Sequence, residues 1–303
     1  MQYRTLADLS SLIRKNIDKV PHDIDLVVGI PRSGLLPANM IALYLNKYMT
    51  DIDSFIEGRI YSAGERGQFI REIGIKKVLI VDDSVGGGHA MTLAKSKLTT
   101  IAEKYELIYL VPIVSSFGKS MVDIYFEVID DDRIFEWNLF HHGMLGNACL
   151  DIDGVLNVDP ECDDDGPIYS NFITTAKPLF VPTIKVGALV SCRLEKYRGL
   201  TEQWLSEHNI QYNHLEMLDF PTKDSRIAWG KHGEYKGEYY RNHPEYWLFI
   251  ESSKEQAETI ARISCKPVIC VETNKLLQYQ QKKSLYKRLK RKIHRVLNKI
   301  IGK

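Results

Sequence analysis

The chain has no obvious cysteine framework. Its five cysteines, Cys149, Cys162, Cys192, Cys265 and Cys270, are odd in number and form no Cys-x-x-Cys pair. Neither disulfide bracing nor a zinc site is expected, and a reducing cytoplasm is the expected setting. Long apolar runs are missing as well. No stretch approaches the roughly 18 residues of a membrane span. Arg4, Asp8, Arg14, Lys15 and Asp18 interrupt the N-terminus, so no signal peptide is expected. Repeats and low-complexity tracts are absent. Acidic residues are missing from Thr273 onward, where eleven lysines and arginines stand without one Asp or Glu. Against a whole-chain charge of +1, the preceding residues therefore carry a net −10. An acidic body with a basic tail implies a partner for the tail.

What is present is ordinary globular composition, 44% hydrophobic and 26% charged over 303 residues. That excludes a disordered or fibrous chain and leaves room for two domains. Strand and helix signals alternate. Asp25–Ile30 is a short apolar strand and Ala38–Leu45 a helix. Val78–Val81 is a second strand, followed by a glycine-rich turn and a helix over about 90–104. Leu107–Val114 is a third strand. The pattern restarts at Cys149-Leu150-Asp151, with strands at Gly187–Val190, Trp247–Ile250 and Val268–Val271 and a helix at about Tyr197–His208. Asp163–Pro167 reads as a loop. Such alternation predicts two α/β units with parallel sheets, joined near Gly143–Asn147.

Two constellations carry chemistry. In the first, the strand Val78–Val81 delivers Asp82 and Asp83 to its end, and Ser84-Val85-Gly86-Gly87-Gly88-His89 follows before a helix. A glycine-rich turn into a helix N-terminus offers backbone N–H groups to a phosphate. The adjacent carboxylates suit hydroxyls of a polyol or Mg²⁺. This segment resembles the phosphoribosyl-pyrophosphate (PRPP) signature of type I phosphoribosyltransferases. The resemblance implies that Asp82 and Asp83 hold the ribose hydroxyls and that residues 84–89 wrap the 5-phosphate. Val28-Gly29-Ile30-Pro31-Arg32-Ser33-Gly34 resembles the same family's pyrophosphate loop, which implies pyrophosphate contacts from Arg32, Ser33 and Gly34. Glu57–Arg71, with Arg59, Tyr61, Arg66 and Arg71, stands where that family carries a mobile loop; an ordinary surface loop is the alternative.

In the second constellation, Ala148–Leu150 ends in Asp151-Ile152-Asp153-Gly154. Two carboxylates at a strand end suit a nucleophile and an acid/base. Asp151–Leu156 resembles the first motif of haloacid-dehalogenase-type phosphatases. The resemblance implies Asp151 as nucleophile and Asp153 as acid/base. It implies Ser191, after Leu189-Val190, and Lys236 as phosphoryl-oxygen holders, with Lys231 the alternative lysine. It also implies a Mg²⁺ ion on Asp151, Glu251 and the carbonyl of Asp153. In the tail, Leu285, Leu289, Ile293, Val296 and Ile300 form an amphipathic stripe with basic residues opposite. A helix on an anionic membrane surface is the first reading; docking on protein and, least favoured, nucleic acid are the others. The segment Trp137–His142 is open between core packing and an acceptor-site role.

Together these resemblances imply an α/β protein of two Rossmann-like units: an N-terminal type I phosphoribosyltransferase fold over 1–146 and a haloacid-dehalogenase-like fold without a large cap over 147–274. A basic C-terminal helix over 275–303 completes the expectation. They imply a bifunctional, Mg²⁺-using enzyme resembling the bacterial route that places ribofuranose in surface polysaccharides. It would transfer 5-phosphoribosyl from PRPP to a glycan, expected to be lipid-linked, and then remove the 5-phosphate. The expected location is cytoplasmic, peripheral on the inner face of the membrane, with oligomerisation left open. The alternatives are a nucleobase phosphoribosyltransferase fused to a nucleotidase, and a PRPP-sensing regulator with a nucleic-acid-binding tail.

Overall fold

Strands covered by helices on both faces need an apolar side chain at every position. Leu26-Val27-Val28 and Val78-Leu79-Ile80-Val81 meet that demand, and all are fully buried. The computed structural model describes residues 1–62, 64–65, 74–161 and 165–279. The chain divides into two compact units, 1–137 and 138–303. This division falls ahead of the expected 146/147 boundary, because the turns Glu136–His141 and Gly143–Asn147 lead into the second unit, where Leu139 and Leu145 are buried.

The first unit opens with β1 (Gln2–Arg4) and α1 (Leu6–Lys15), whose start is fixed by a capping box of Thr5 and Asp8. Then come β2 (Leu26–Gly29), α2 (Leu35–Leu45), β3 (Tyr48–Asp51), α3 (Ile52–Ile56) and β4 (Lys77–Val81). The glycine-rich turn holds a two-residue strand, β5 (Ser84–Val85), and leads to α4 (His89–Leu98). The unit closes with β6 (Glu106–Val114), β7 (Ile124–Val128) and β8 (Arg133–Phe135). The main sheet runs β3-β2-β4-β6-β5, β7 also pairing with β6, and every pairing is parallel. β1 and β8 form a separate parallel ribbon. The helix expected over 90–104 stops at Leu98, where β-branched Thr99-Thr100-Ile101 follow, and a 3₁₀ turn at Ala102–Lys104 takes its place.

The second unit contains β9 (Ala148–Leu150), α5 (Gly166–Thr175), β10 (Val186–Leu194), α6 (Arg198–Glu207), β11 (Tyr212–Leu218), α7 (Lys223–Trp229) and α8 (His232–Asn242). These are followed by β12 (Leu248–Glu251), α9 (Lys254–Ser264), β13 (Val268–Cys270) and β14 (Lys275–Leu277). The sheet order is β11-β10-β9-β12-β13-β14, parallel except for the last strand. Two expectations change here. Gly166-Pro167 does not lie in a loop but starts α5, with Asp165 as its cap. Lys275–Leu277 does not begin a helix: Asn274 takes a left-handed turn and the strand pairs with β13, Leu276 opposite Ile269. The apolar stripe from Leu285 to Ile300 lies outside the described residues, as do Cys162, Arg66 and Arg71. Among the described residues no helix is long and apolar enough to cross a membrane.

Candidate functional site

β2 and β4 are parallel neighbours, so the turns after them lie at the same sheet edge, where open α/β sheets bind ligands. Gly34 makes their approach possible. A β-carbon there would collide with the Ile30 carbonyl and lie 2.8 Å from the Val81 oxygen and 2.9 Å from Cα of Asp82. The turn bearing exposed Arg32 and half-buried Ser33 is thereby drawn against the end of β4. The Pro31–Arg32 peptide is cis.

Asp82 and Asp83 are 5% and 6% exposed. Oδ1 of Asp82 accepts the Asp83 backbone N–H at 2.9 Å, and Oδ2 of Asp83 accepts the indole N–H of Trp137 at 2.7 Å. Burial, and then the neighbouring Asp83 charge, push the Asp82 carboxyl up to about 7. Beyond them, Ser84 and Val85 pair with Ile113 and Val114, and the Val85 side chain lies in the core. The open positions of the turn are therefore Gly86, Gly87 and His89, while Gly88 is buried. Gly88 is left-handed, φ +81°, and caps α4 without a side-chain hydrogen bond. Arg59 and Tyr61 of the expected lid lie near β3: Thr50 Oγ1 donates to the Arg59 carbonyl, and the Tyr61 hydroxyl donates to Asp51.

In the second unit, β9 and β12 end side by side, and β10, with Leu189 opposite Leu150, runs on beside them to Leu194. Asp151 N–H donates to the Ile250 carbonyl at 2.9 Å, which sets its carboxylate beside the end of β12. Lys236 reaches in from α8, 1% exposed, with Nζ 2.8 Å from Asp151 Oδ2 and 2.8 Å from Glu251 Oε2. Lys231, the alternative, is exposed. Burial and Glu251 raise the Asp151 carboxyl well above the usual range, while Lys236 opposes this. For Lys236, burial works against the ammonium, but Asp151 and Glu251 prevail and raise it. Ser191 is buried at the same edge, its Oγ accepting the Arg193 N–H at 3.2 Å.

Asp153 is less free than its expected role suggests. Arg193 holds it in a two-point pair, Nη2 to Oδ1 at 2.6 Å and Nε to Oδ2 at 3.0 Å, and Asn157 Nδ2 donates to Oδ1 at 3.1 Å. Burial raises Asp153, but Arg193 outweighs it and the net direction is down. Arg193 is itself tied to Thr201 Oγ1 at 3.2 Å. The Asp153 carboxylate is thus occupied, and its backbone carbonyl is what a metal would meet. Asp151, Asp153, Ser191, Arg193 and Lys236 line a cleft of about 620 Å³, mouth included, along with Asp159, Arg226 and His232.

Among the described residues no cluster of three His, Cys, Asp or Glu side chains could hold a metal ion. Mg²⁺ asks for less: one or two carboxylates, water and substrate phosphate. Asp151 and Glu251 share one ammonium, and the charge left over lies on hard oxygen donors. That donor set fits Mg²⁺. Arg193, Asn157 and Arg133 were not singled out from the sequence, whereas Trp137 stood in the segment open between core packing and an acceptor-site role, and it donates to Asp83. A charged residue within the apolar run Gly187–Leu194 was the available signal for Arg193.

A search of curated proteins finds no match. Solved structures similar to the chain include a purine phosphoribosyltransferase from Pyrococcus horikoshii Ot3, at 22% identity and TM-score 0.33, covering 45% of this chain and 91% of that one. A xanthine-guanine-hypoxanthine phosphoribosyltransferase from Helicobacter pylori has 14% identity and TM-score 0.34, covering 46% and 92%. A chain of the Pnkp1/Rnl/Hen1 complex has 16% identity and TM-score 0.29, covering 84% and 98%. A family model described as the phosphoribosyl transferase domain matches residues 2–144.

Proposed function

We propose that the chain is a two-step enzyme, a PRPP-dependent phosphoribosyltransferase followed by a phosphatase that removes the 5-phosphate. The acceptor is a glycan, expected to be lipid-linked, and the product a ribofuranosyl residue of a bacterial surface polysaccharide. The observation that carries this reading is the buried Asp151–Lys236–Glu251 group in a chain that also contains a phosphoribosyltransferase domain. A phosphoribosyl product is a substrate for a phosphatase, and removal of its phosphate leaves plain ribofuranose.

In the first step, Arg32, Ser33 and Gly34 hold the pyrophosphate, Asp82 and Asp83 the ribose hydroxyls, and residues 86–89 the 5-phosphate. The C1–oxygen bond to pyrophosphate breaks as the acceptor oxygen bonds to C1. In the second step, the Asp151 carboxylate attacks phosphorus, the bond from phosphorus to the ribose oxygen breaks, and that oxygen takes a proton from Asp153. Water then attacks the aspartyl phosphate and yields its proton to Asp153. Arg193 favours the ionised form of Asp153, which suits this proton-accepting role. Ser191 and Lys236 hold phosphoryl oxygens. Mg²⁺ on Asp151, Glu251 and the Asp153 carbonyl would neutralise charge on the transferring group.

The test is incubation with PRPP, Mg²⁺ and a panel of glycan and nucleobase acceptors, read by mass spectrometry. The parent chain should add ribofuranose to a glycan. Asp151→Asn should release pyrophosphate normally and leave a product heavier by one phosphate. Transfer to a nucleobase alone would overturn the glycan reading, and full dephosphorylation by Asp151→Asn would remove Asp151 as nucleophile.

A further inference from the structure

The turn 86–88 is Gly-Gly-Gly. It offers a phosphate backbone N–H groups but no hydroxyl, amide or charge of its own. A charge arrives instead from the far end of the domain. Arg133, on β8, lays its guanidinium across this turn: Nη1 donates to the Val85 carbonyl at 3.2 Å, and a β-carbon on Gly86 would collide with Nη2. Gly86 leaves the space that this guanidinium occupies.

The guanidinium is half-buried, and among the described residues no carboxylate forms an ion pair with it. The acids that face it are Asp83 and Asp130. Asp83 accepts from Trp137. Asp130 accepts the Ser116 N–H at 2.6 Å and its hydroxyl at 2.7 Å. Among the described residues neither forms an ion pair with Arg133. Burial, the largest influence on the group, accordingly works against its charge. Charged side chains removed from water are ordinarily paired, and a guanidinium forks readily onto phosphate oxygens. Here the guanidinium lies over a glycine turn that opens α4, a ten-residue helix with no side-chain cap.

From this geometry we infer that Arg133 is a binding residue for the 5-phosphate of the donor, reaching from the β1–β8 ribbon to supply the charge that the glycine turn lacks. The inference rests on the proposed PRPP reading of residues 82–89 and adds a contact from outside that segment. It also divides the donor between two sets of residues. Pyrophosphate belongs to Arg32–Gly34, and the sugar 5-phosphate to the turn together with Arg133.

The experiment is calorimetric titration of the full chain with PRPP, ribose 5-phosphate and pyrophosphate, each with Mg²⁺. The parent is compared with Arg133→Gln and Arg133→Lys. Loss of one charge-assisted contact should weaken PRPP and ribose 5-phosphate roughly 10- to 100-fold in Arg133→Gln. Arg133→Lys should restore part of that loss, and pyrophosphate affinity should hold in both, which also shows that the domain is folded. Unchanged ribose 5-phosphate binding in Arg133→Gln would overturn the inference. So would parallel loss of ribose 5-phosphate and pyrophosphate, because Arg133 would then be a structural tie to Val85. If the parent bound neither PRPP nor ribose 5-phosphate, the donor reading itself would fall.

Discussion

Asp82→Asn should stabilise the first unit at neutral pH while abolishing donor binding. Asp82 and Asp83 are adjacent and buried at the end of β4. Burial first, and Asp83 second, raise the Asp82 carboxyl from 3.8 to about 7. The unfolded chain lacks the burial, which is the larger influence. Between pH 3.8 and about 7 the folded form keeps a proton that the unfolded form has lost. The contribution of this group to stability is therefore full below the unfolded value, declines as pH rises through that window, and is gone above it. At about 1.4 kcal/mol per pH unit, the whole loss is about 4 kcal/mol. Asn is neutral throughout, nearly isosteric, and keeps an oxygen to accept the Asp83 N–H. Its advantage should be about 1.5 kcal/mol at pH 5 and about 4 kcal/mol at pH 8. Carboxyls lowered by their partners, such as Asp51, titrate alike in both proteins and cancel in the comparison. Native-state hydrogen exchange of β4 and β6 amides, parent against variant at each pH, reads this unit alone. An equal advantage at pH 5 and pH 8 would refute the reasoning.

Other predictions concern separate parts of the molecule. Arg193→Lys gives up the fork on Asp153, so the Asp153 carboxyl should rise and the acid limb of the phosphatase pH profile move to higher pH; an unmoved limb would show that Asp153 is not the group titrating. Gly34→Ala drives a methyl into the backbone of β2 and β4. It should cost about 1–3 kcal/mol or more in urea unfolding of the first unit, whereas an unchanged midpoint would mean the two turns can separate. Lys236→Met leaves Asp151 and Glu251 buried without their shared cation and should cost about 3–5 kcal/mol at pH 8. That cost should shrink as pH falls and the raised Asp151 takes up a proton; thermal melting at both pH values checks it. Truncation after Tyr279 preserves β14 and removes ten of the eleven tail cations. It should abolish sedimentation with anionic liposomes while turnover of a short soluble acceptor persists, and full-length-like binding would end the membrane reading.

Much of the fold is local and could be read from the sequence. A strand that is apolar at every position must be buried on both faces, which places Leu26–Val28, Val78–Val81 and Val268–Cys270 inside parallel sheets before any pairing is known. Glycine and acidic residues immediately after such strands mark the sheet edge, and this located Asp82, Asp83 and Asp151. Shorter or partly polar elements escaped, because Tyr48–Asp51 and Lys275–Leu277 become strands only through the neighbour each one pairs with. Strand order and side-chain reach decided the rest. Asp153 and Arg193 are far apart in the chain and meet because β9 and β10 are adjacent. Lys236 rather than Lys231 enters the cleft because α8 turns that face toward β12. Trp137 meets Asp83, and Arg133 the glycine turn, only when the ribbon of β1 and β8 is in place. Periodicity and turn chemistry act over a few residues and survive in the linear sequence. The side-chain contacts at both sites depend on which strands lie side by side, and that is a property of the folded chain.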